Sequence, residues 1–375
     1  MIKPGKTFHM PLIIIILIIS IIILGKGFFK MDKNKTGIKQ SSGRSFHMDT
    51  SVEDFGKGDL KGVRVSSHED GALELEKQNG SYLKEGTYTS QTFDAAPFKY
   101  AVVSWNADTP GKTYIKIQAQ VRSGDKWSSW FTIANWGTGI KSESEKKQED
   151  DISRVMIDTI ALNGEASGNG IRYRVALLGD GAVSPVVRMV SFVAYNNTDR
   201  IPGETHLEKD LDVPMISQMQ QDPKIANVIC SPTSVSMVMQ YYSLDISAEK
   251  AAEGVFDNGA KIYGNWPFNT AFAASRGFTA YVDRFESLDD IRKEIFEGRP
   301  VIASISFDKG ELDNAPIEDT DGHLIVVRGF TTKNGADHVI VNDPAAPTHE
   351  TVKREYRVDQ FLKAWKGIVY IIRKQ

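Results

Sequence analysis

Residues 114–122 read Tyr-Ile-Lys-Ile-Gln-Ala-Gln-Val-Arg, and residues 171–177 read Ile-Arg-Tyr-Arg-Val-Ala-Leu. In the first, Ile115, Ile117, Ala119 and Val121 alternate with Lys116, Gln118, Gln120 and Arg122. In the second, Ile171, Tyr173, Val175 and Leu177 alternate with Arg172, Arg174 and Ala176. A period of two sends successive side chains to opposite faces, so both segments predict strands with one face in a core and the other in water. Strand-like runs recur near 62–67, 72–77, 87–93, 100–106, 127–134, 152–162 and 186–195, separated by Gly, Asn and Asp. Together they predict an all-β sandwich of jelly-roll type over residues 51–200. Lys141 to Asp151 holds no apolar side chain and reads as an exposed loop of that domain.

N-terminal to the sandwich, residues 31–50 are polar, small and lysine-rich, as in a solvated linker. Before them, Pro11 to Leu24 is a run of isoleucine and leucine broken only by Ser20 and preceded by Lys3 and Lys6. Its length lies between a signal-peptide core and a full membrane span, so residues 1–30 read as a signal peptide or signal anchor. No Ala-x-Ala site follows, which favours an uncleaved single-pass anchor. Lys26, Lys30, Lys33 and Lys35 make the downstream flank the more basic one, against a simple positive-inside count. The expectation is nevertheless export, to the extracellular face of the membrane or into the medium.

The whole chain of 375 residues, 41% hydrophobic and 25% charged, can bury sizeable cores. Six lysines and one aspartate fall within residues 1–35, so a net charge of −3 overall becomes −8 on the remainder. That is a poor match to a phosphate backbone, and nucleic acid is not expected as a partner. Cys230 is the single cysteine, which excludes an internal disulfide and cysteine-rich metal sites.

Beyond Pro202-Gly203 the composition turns mixed, and an α+β domain is expected over residues 204–375. Ser231-Pro232 opens a helix with Val235, Val238, Met239 and Tyr242 as its apolar stripe. Ser247 and Ser287 are N-caps of two more, the second ending at Gly298. Val301–Phe307, His323–Phe330 and His338–Asn342 read as strands, the last two joined through Asn334-Gly335. A connection spanning 331–335 would pair residue 323 with 343; a two-residue Asn-Gly turn would pair 343 with 326.

Cys230 lies at the mouth of the first helix, where unpaired N–H groups and the helix dipole favour thiolate over thiol. A nucleophilic thiolate needs a base and a group to orient it, and His323 and Asp343 sit on the hairpin. His338 is a weaker candidate for the base, and the remaining histidines have no partner pattern. Cys230-Ser231-Pro232-Thr233-Ser234, Gly322-His323-Leu324-Ile325-Val326-Val327 and Val341-Asn342-Asp343-Pro344, with Val213 to Gln218 upstream, resemble the C39-like cysteine peptidases of the papain-like superfamily. The resemblance covers about 210 to 372. It implies a papain-like fold with Cys230 as nucleophile, His323 as general base, Asp343 as its orienter and Gln218 as oxyanion donor. Ser231 stands where the family more often has Gly. Gln218 precedes Cys230 by a longer gap than usual, which keeps Gln220 and Gln221 in contention. The implied reaction is hydrolysis of a peptide or protein, without metal or organic cofactor.

Two other readings keep these residues: an amidase or acyltransferase acting on cell-wall peptides, and an inactive surface-binding protein. Six acids between Asp308 and Gly322 form either a solvated loop or a cleft rim that selects basic peptides. Trp266 is expected in the groove or the core. Trp105, Trp127, Trp130 and Trp136 suggest either aromatic packing or a platform for a cell-wall glycan, with Trp127 and Trp130 of opposite parity on one strand.

Overall fold

The computed structural model describes residues 43–66 and 71–374. The proposed membrane segment and the first part of the linker lie outside them. Among the described residues no helix is long and apolar enough to cross a membrane.

The two quoted segments meet as predicted. Strands Tyr114–Ser123 and Gly168–Leu178 pair antiparallel, with Ile115 opposite Leu177, Ile117 opposite Val175, Ala119 opposite Tyr173 and Val121 opposite Ile171. All eight of these side chains are buried. Each large aliphatic one so removed from water contributes about 1.5–3 kcal/mol, which is what holds this register. They belong to one of two seven-stranded sheets facing each other across the sandwich core.

The second sheet is built differently. Its strands Tyr100–Asp108 and Val186–Tyr195 pair along nearly their whole length, and almost every residue on them is buried. One face meets the sandwich core and the other meets the C-terminal half. This explains the apolar run Ala101-Val102-Val103 where alternation would otherwise be expected. Arg44–Asp49 adds a further strand against Val186–Tyr195. These residues were expected in the linker; with Phe46 and Met48 as their sole apolar members, they carry too short a pattern to be read as a strand.

The two halves form one compact unit. Trp105 and Trp136 pack edge-on against Phe268 of the C-terminal half, at 6.0 and 5.1 Å between ring centroids. Both are therefore core residues, not a glycan platform. Trp127 and Trp130 lie on no common strand, Trp127 ending one and Trp130 preceding the next, and both are half-buried against Arg172. The stretch Lys141–Asp151 is not a free loop either. Ser144 is buried, and its N–H and Oγ bind the Asp257 carboxylate at 2.9 and 2.6 Å. Asp257 also accepts from Asn265 Nδ2 and from the N–H groups of Gly259 and Ala260.

The C-terminal half is an antiparallel sheet in the order Phe278–Arg284, Trp365–Lys374, Val301–Phe307, Thr320–Lys333, Ala336–Asn342, Lys353–Arg357. Its first strand borders the sandwich. There the Asn106 side chain gives to Ala280 C=O at 2.5 Å and accepts Ala280 N–H at 3.1 Å, while Ser104 Oγ accepts Val282 N–H. Two sandwich side chains thus occupy the backbone groups that a further strand would use.

Helices lie against this sheet. Ser247 and Ser287 cap Ala248–Val255 and Leu288–Phe296 as predicted, and Asp290 completes a capping box with Ser287. Helix Trp266–Ala274, capped by Asn265, has no clear polar face because it is buried on nearly all sides, and its periodicity gives no signal. Trp266 belongs to this junction and not to the groove: its N–H donates to Asp158 of the sandwich at 2.8 Å.

Candidate active site

Cys230 is the first residue of helix Cys230–Tyr241, and Ile229 before it provides no side-chain cap. The sulfur therefore lies at the positive end of the helix dipole, beside N–H groups without a capping side chain. The helix is buried from Ser231 to Met239 and is fixed to the sheet by Ser234 Oγ, which donates to Leu324 C=O at 3.0 Å. Ser231 turns inward, its hydroxyl 2.9 Å from that of Tyr370.

His323 and Asp343 come together by way of an irregularity. Asn334 and Gly335 both have positive φ and form a two-residue turn that pairs Lys333 with Ala336. Continued without interruption, this register would set residue 343 opposite 326, on the face His323 avoids. The register instead shifts at Arg328: Gly329 pairs with Ile340, but Val327 pairs with Val341 and Val326 with Asn342. The extra residue places Asp343 level with Ile325, which shares a face with His323. The longer connection that would pair 323 directly with 343 is not formed, and the contact is diagonal. Arg328 is buried at the bulge and bridges Asp210 Oδ1 at 2.7 Å, Val213 C=O and Asn342 Oδ1.

His323 Nε2 is 2.7 Å from Asp343 Oδ1, which leaves Nδ1 for the Cys230 sulfur, with which the imidazole is hydrogen-bonded. Asp343 is fully occupied. Oδ1 also accepts the Ala345 N–H at 3.0 Å, and Oδ2 accepts the Tyr356 hydroxyl at 2.7 Å. Burial by itself would raise the thiol, but the hydrogen bond from His323, its positive charge and the Leu324 N–H hold Cys230 below its ordinary value. Burial would likewise lower His323, yet the Asp343 carboxylate and the thiolate outweigh it and push the imidazole up to about 10. Asp343 resists the upward push of burial because the His323 cation, Tyr356 and the Ala345 N–H pull it down. Both shifts favour the thiolate–imidazolium form of the pair.

Cys230 and His323 open on a groove of 450 Å³ that also touches Gln218, Met219, Asn227, Pro316, Ile317 and Thr320, with Asp343 buried behind them. Of the three candidate glutamines, Gln218 is the one on this groove. Its N–H donates to Pro344 C=O and its Nε2 to Ala226 C=O, both at 2.8 Å. Gln220 Oε1 accepts the His349 N–H, and Gln221 Nε2 donates to Ser217 C=O. His349 Nδ1 in turn accepts the Ser217 N–H at 2.8 Å, so the loop after Asp343 is clasped to the Gln218 turn. His338 is distant in role: its Nδ1 pairs with Ala336 C=O at the hairpin tip. The acidic stretch meets the groove through Pro316, Ile317, Thr320 and Gly322, and none of the residues lining the groove is an acid.

Residues 210–372 match the Peptidase_C39 like family, and residues 45–195 match a Peptidase C39 N-terminal domain. The C-terminal half is a C39-like cysteine peptidase. Among solved structures, the peptidase domain of Streptococcus ComA, a bi-functional ABC transporter involved in quorum sensing, is 17% identical, covering 45% of this chain and 100% of that one with a TM-score of 0.30. A double glycine motif protease from an AMS/PCAT transporter, solved with its leader peptide, is 18% identical, covering 44% and 95% with a TM-score of 0.29. TmCBM61, solved with β-1,4-galactotriose, is 8% identical, covering 39% and 86% with a TM-score of 0.20. No curated protein matches the chain.

Sequence reasoning missed three supports of this peptidase site. Tyr356 comes from a strand with one buried side chain in the run Lys-Arg-Glu-Tyr-Arg, too little pattern to mark it. Asn342 donates to Val213 and Pro214 C=O and ties the strand before Asp343 to the segment before Gln218. Arg328-Gly329 was readable as a bulge: it is a charge followed by glycine inside an apolar strand, and a Cβ at Gly329 would lie 2.1 Å from Lys209 C=O.

Proposed function

We propose that the protein hydrolyses peptide bonds through Cys230, His323 and Asp343, and that residues 1–30 carry it to the outside of the cell membrane or beyond. The observation that carries the first part is the imidazole held between the Cys230 sulfur and the Asp343 carboxylate. The thiolate attacks the carbonyl carbon, and the π electrons move to the oxygen. That oxyanion meets the Cys230 N–H at the helix start and the Gln218 amide; one Nε2 hydrogen is held by Ala226 C=O, which orients the other toward the groove. His323 gives its proton to the leaving amine. It then takes one from water, whose oxygen releases the acyl group and restores the thiolate.

The substrate chain lies between the Pro316–Ile317 wall and Met219, a lining without carboxylates that suits uncharged side chains at the cleaved bond. The sandwich serves as a targeting module for a surface glycan, supported by its polar outer sheet. The test is alkylation of the purified protein by iodoacetamide at neutral pH. Rapid labelling of Cys230 that His323→Ala slows at least a hundredfold is expected, together with peptide turnover lost in both Cys230→Ala and His323→Ala. Slow labelling indifferent to His323 would sink the reading.

A further inference from the structure

The solvent-side face of the outer sheet carries an alternating ladder of arginine and tryptophan. Arg122 lies over Trp127 at 5.7 Å, Arg172 touches Trp127 at 4.5 Å and Trp130 at 5.2 Å, and Arg174 covers Trp130 at 4.4 Å. Arg122 has a carboxylate partner, Asp94, at 2.6 Å. Arg172 and Arg174 do not: Arg172 Nε donates to Gln120 Oε1, and Arg174 donates through both Nε and Nη2 to Gln118 Oε1. Among the described residues neither guanidinium meets an acid, and Lys116, on the same face, meets none either.

Two like charges two residues apart on one strand stand roughly 7 Å from each other. Their repulsion and partial burial both hold Arg174 below its ordinary value. A ladder needed only for packing gains nothing from leaving these charges uncompensated. Stacking against the indoles and the glutamine amide contacts hold both guanidinium groups in place, and their N–H groups outside those contacts are left for a carboxylate. The same stacking covers the indole faces, so a sugar cannot lie on them as on an open aromatic platform. The face is suited to charge and not to ring stacking.

We infer that the row Lys116, Arg174 and Arg172 is the binding strip for a linear acidic polysaccharide bearing one carboxylate per sugar. This rests on reading the sandwich as a targeting module and names its ligand class. A sparse polyanion fits better than nucleic acid, whose denser phosphates would meet an acidic remainder of the molecule.

The test is titration of the full-length protein with polygalacturonate at low salt, with dextran and duplex DNA in parallel. Binding to polygalacturonate that weakens steeply with salt, and at least tenfold in Arg172→Gln/Arg174→Gln with peptidase turnover unchanged, is expected. Lys116→Gln lies outside the ladder and should weaken binding two- to fivefold, a readout that survives if the double variant misfolds. Equal or tighter binding of dextran overturns the acidic strip and leaves the targeting reading standing. Preference for DNA, or affinity unchanged in the Arg and Lys variants, overturns the strip, and no binding to any polymer overturns both.

Discussion

Two buried polar clusters in this molecule are assembled from similar residues and serve different ends. Around Asp343 a carboxylate is surrounded by His323, Tyr356 and the Ala345 N–H, and these bonds fix one imidazole beside one sulfur. Around Asp257 a carboxylate is surrounded by Ser144, Asn265 and the N–H groups of Gly259 and Ala260, with no histidine or cysteine among the groups bonded to it. On the proposed reading the first cluster holds charge for chemistry, whereas the second fastens the sandwich to the peptidase. A buried carboxylate is therefore no sign of a reactive site until its partners are known.

The contrast makes claims that can fail. Cys230→Ser should lower kcat/KM by about 10⁴-fold or more while leaving the protein folded, because serine fills nearly the same space beside the core. Equal loss of stability would mean that the thiol is a packing element. Asp343→Asn should cost about 10²–10⁴-fold in kcat/KM. It should also move the pH profile. In the wild type the imidazolium needed to protonate the leaving amine disappears as pH rises through about 10. Without the carboxylate that charge is lost at lower pH, so the alkaline limb should retreat toward neutrality, and a limb that stays in place would detach Asp343 from His323.

Effects at the second cluster are expected in stability. Asp257→Ala leaves several buried donors without an acceptor and should cost about 2–4 kcal/mol in denaturant unfolding, with turnover per folded molecule changed less than twofold. A large loss of turnover would show the sandwich acting on catalysis. The smallest effect concerns Asp158, which burial raises to about 6. Its folded pKa exceeds the unfolded one, so its stabilising contribution is complete below about 4 and is lost as pH rises through 6. Asp158→Asn should remove that decline, gaining about 1 kcal/mol at pH 7.5 relative to pH 5, as unfolding at the two pH values would reveal.

Reading the chain unaided reached the outer sheet, the caps at Ser247 and Ser287 and the grouping of Cys230, His323 and Asp343, because each has a local signature. It could not choose the register of the hairpin, since the turn and the bulge at Arg328 act in opposite directions on the same pairing. Tyr356 was invisible for another reason: its importance comes from a carboxylate thirteen residues away, just past the end of another strand. The junction escaped because strands buried on both faces lose the alternation that marks strands buried on one. Gln218 was one of three neighbours, and its selection depends on where Ala226 and Pro344 fold around it.

Asn106 and Ser104 answer the backbone of Phe278–Arg284 with side chains alone. Cut away from the sandwich, the catalytic half would present that strand as a ready template, and copies would be drawn to zip together into dimers or insoluble fibres. An attempt to produce a minimal peptidase from residue 204 onward should begin by planting a lysine or proline on that border.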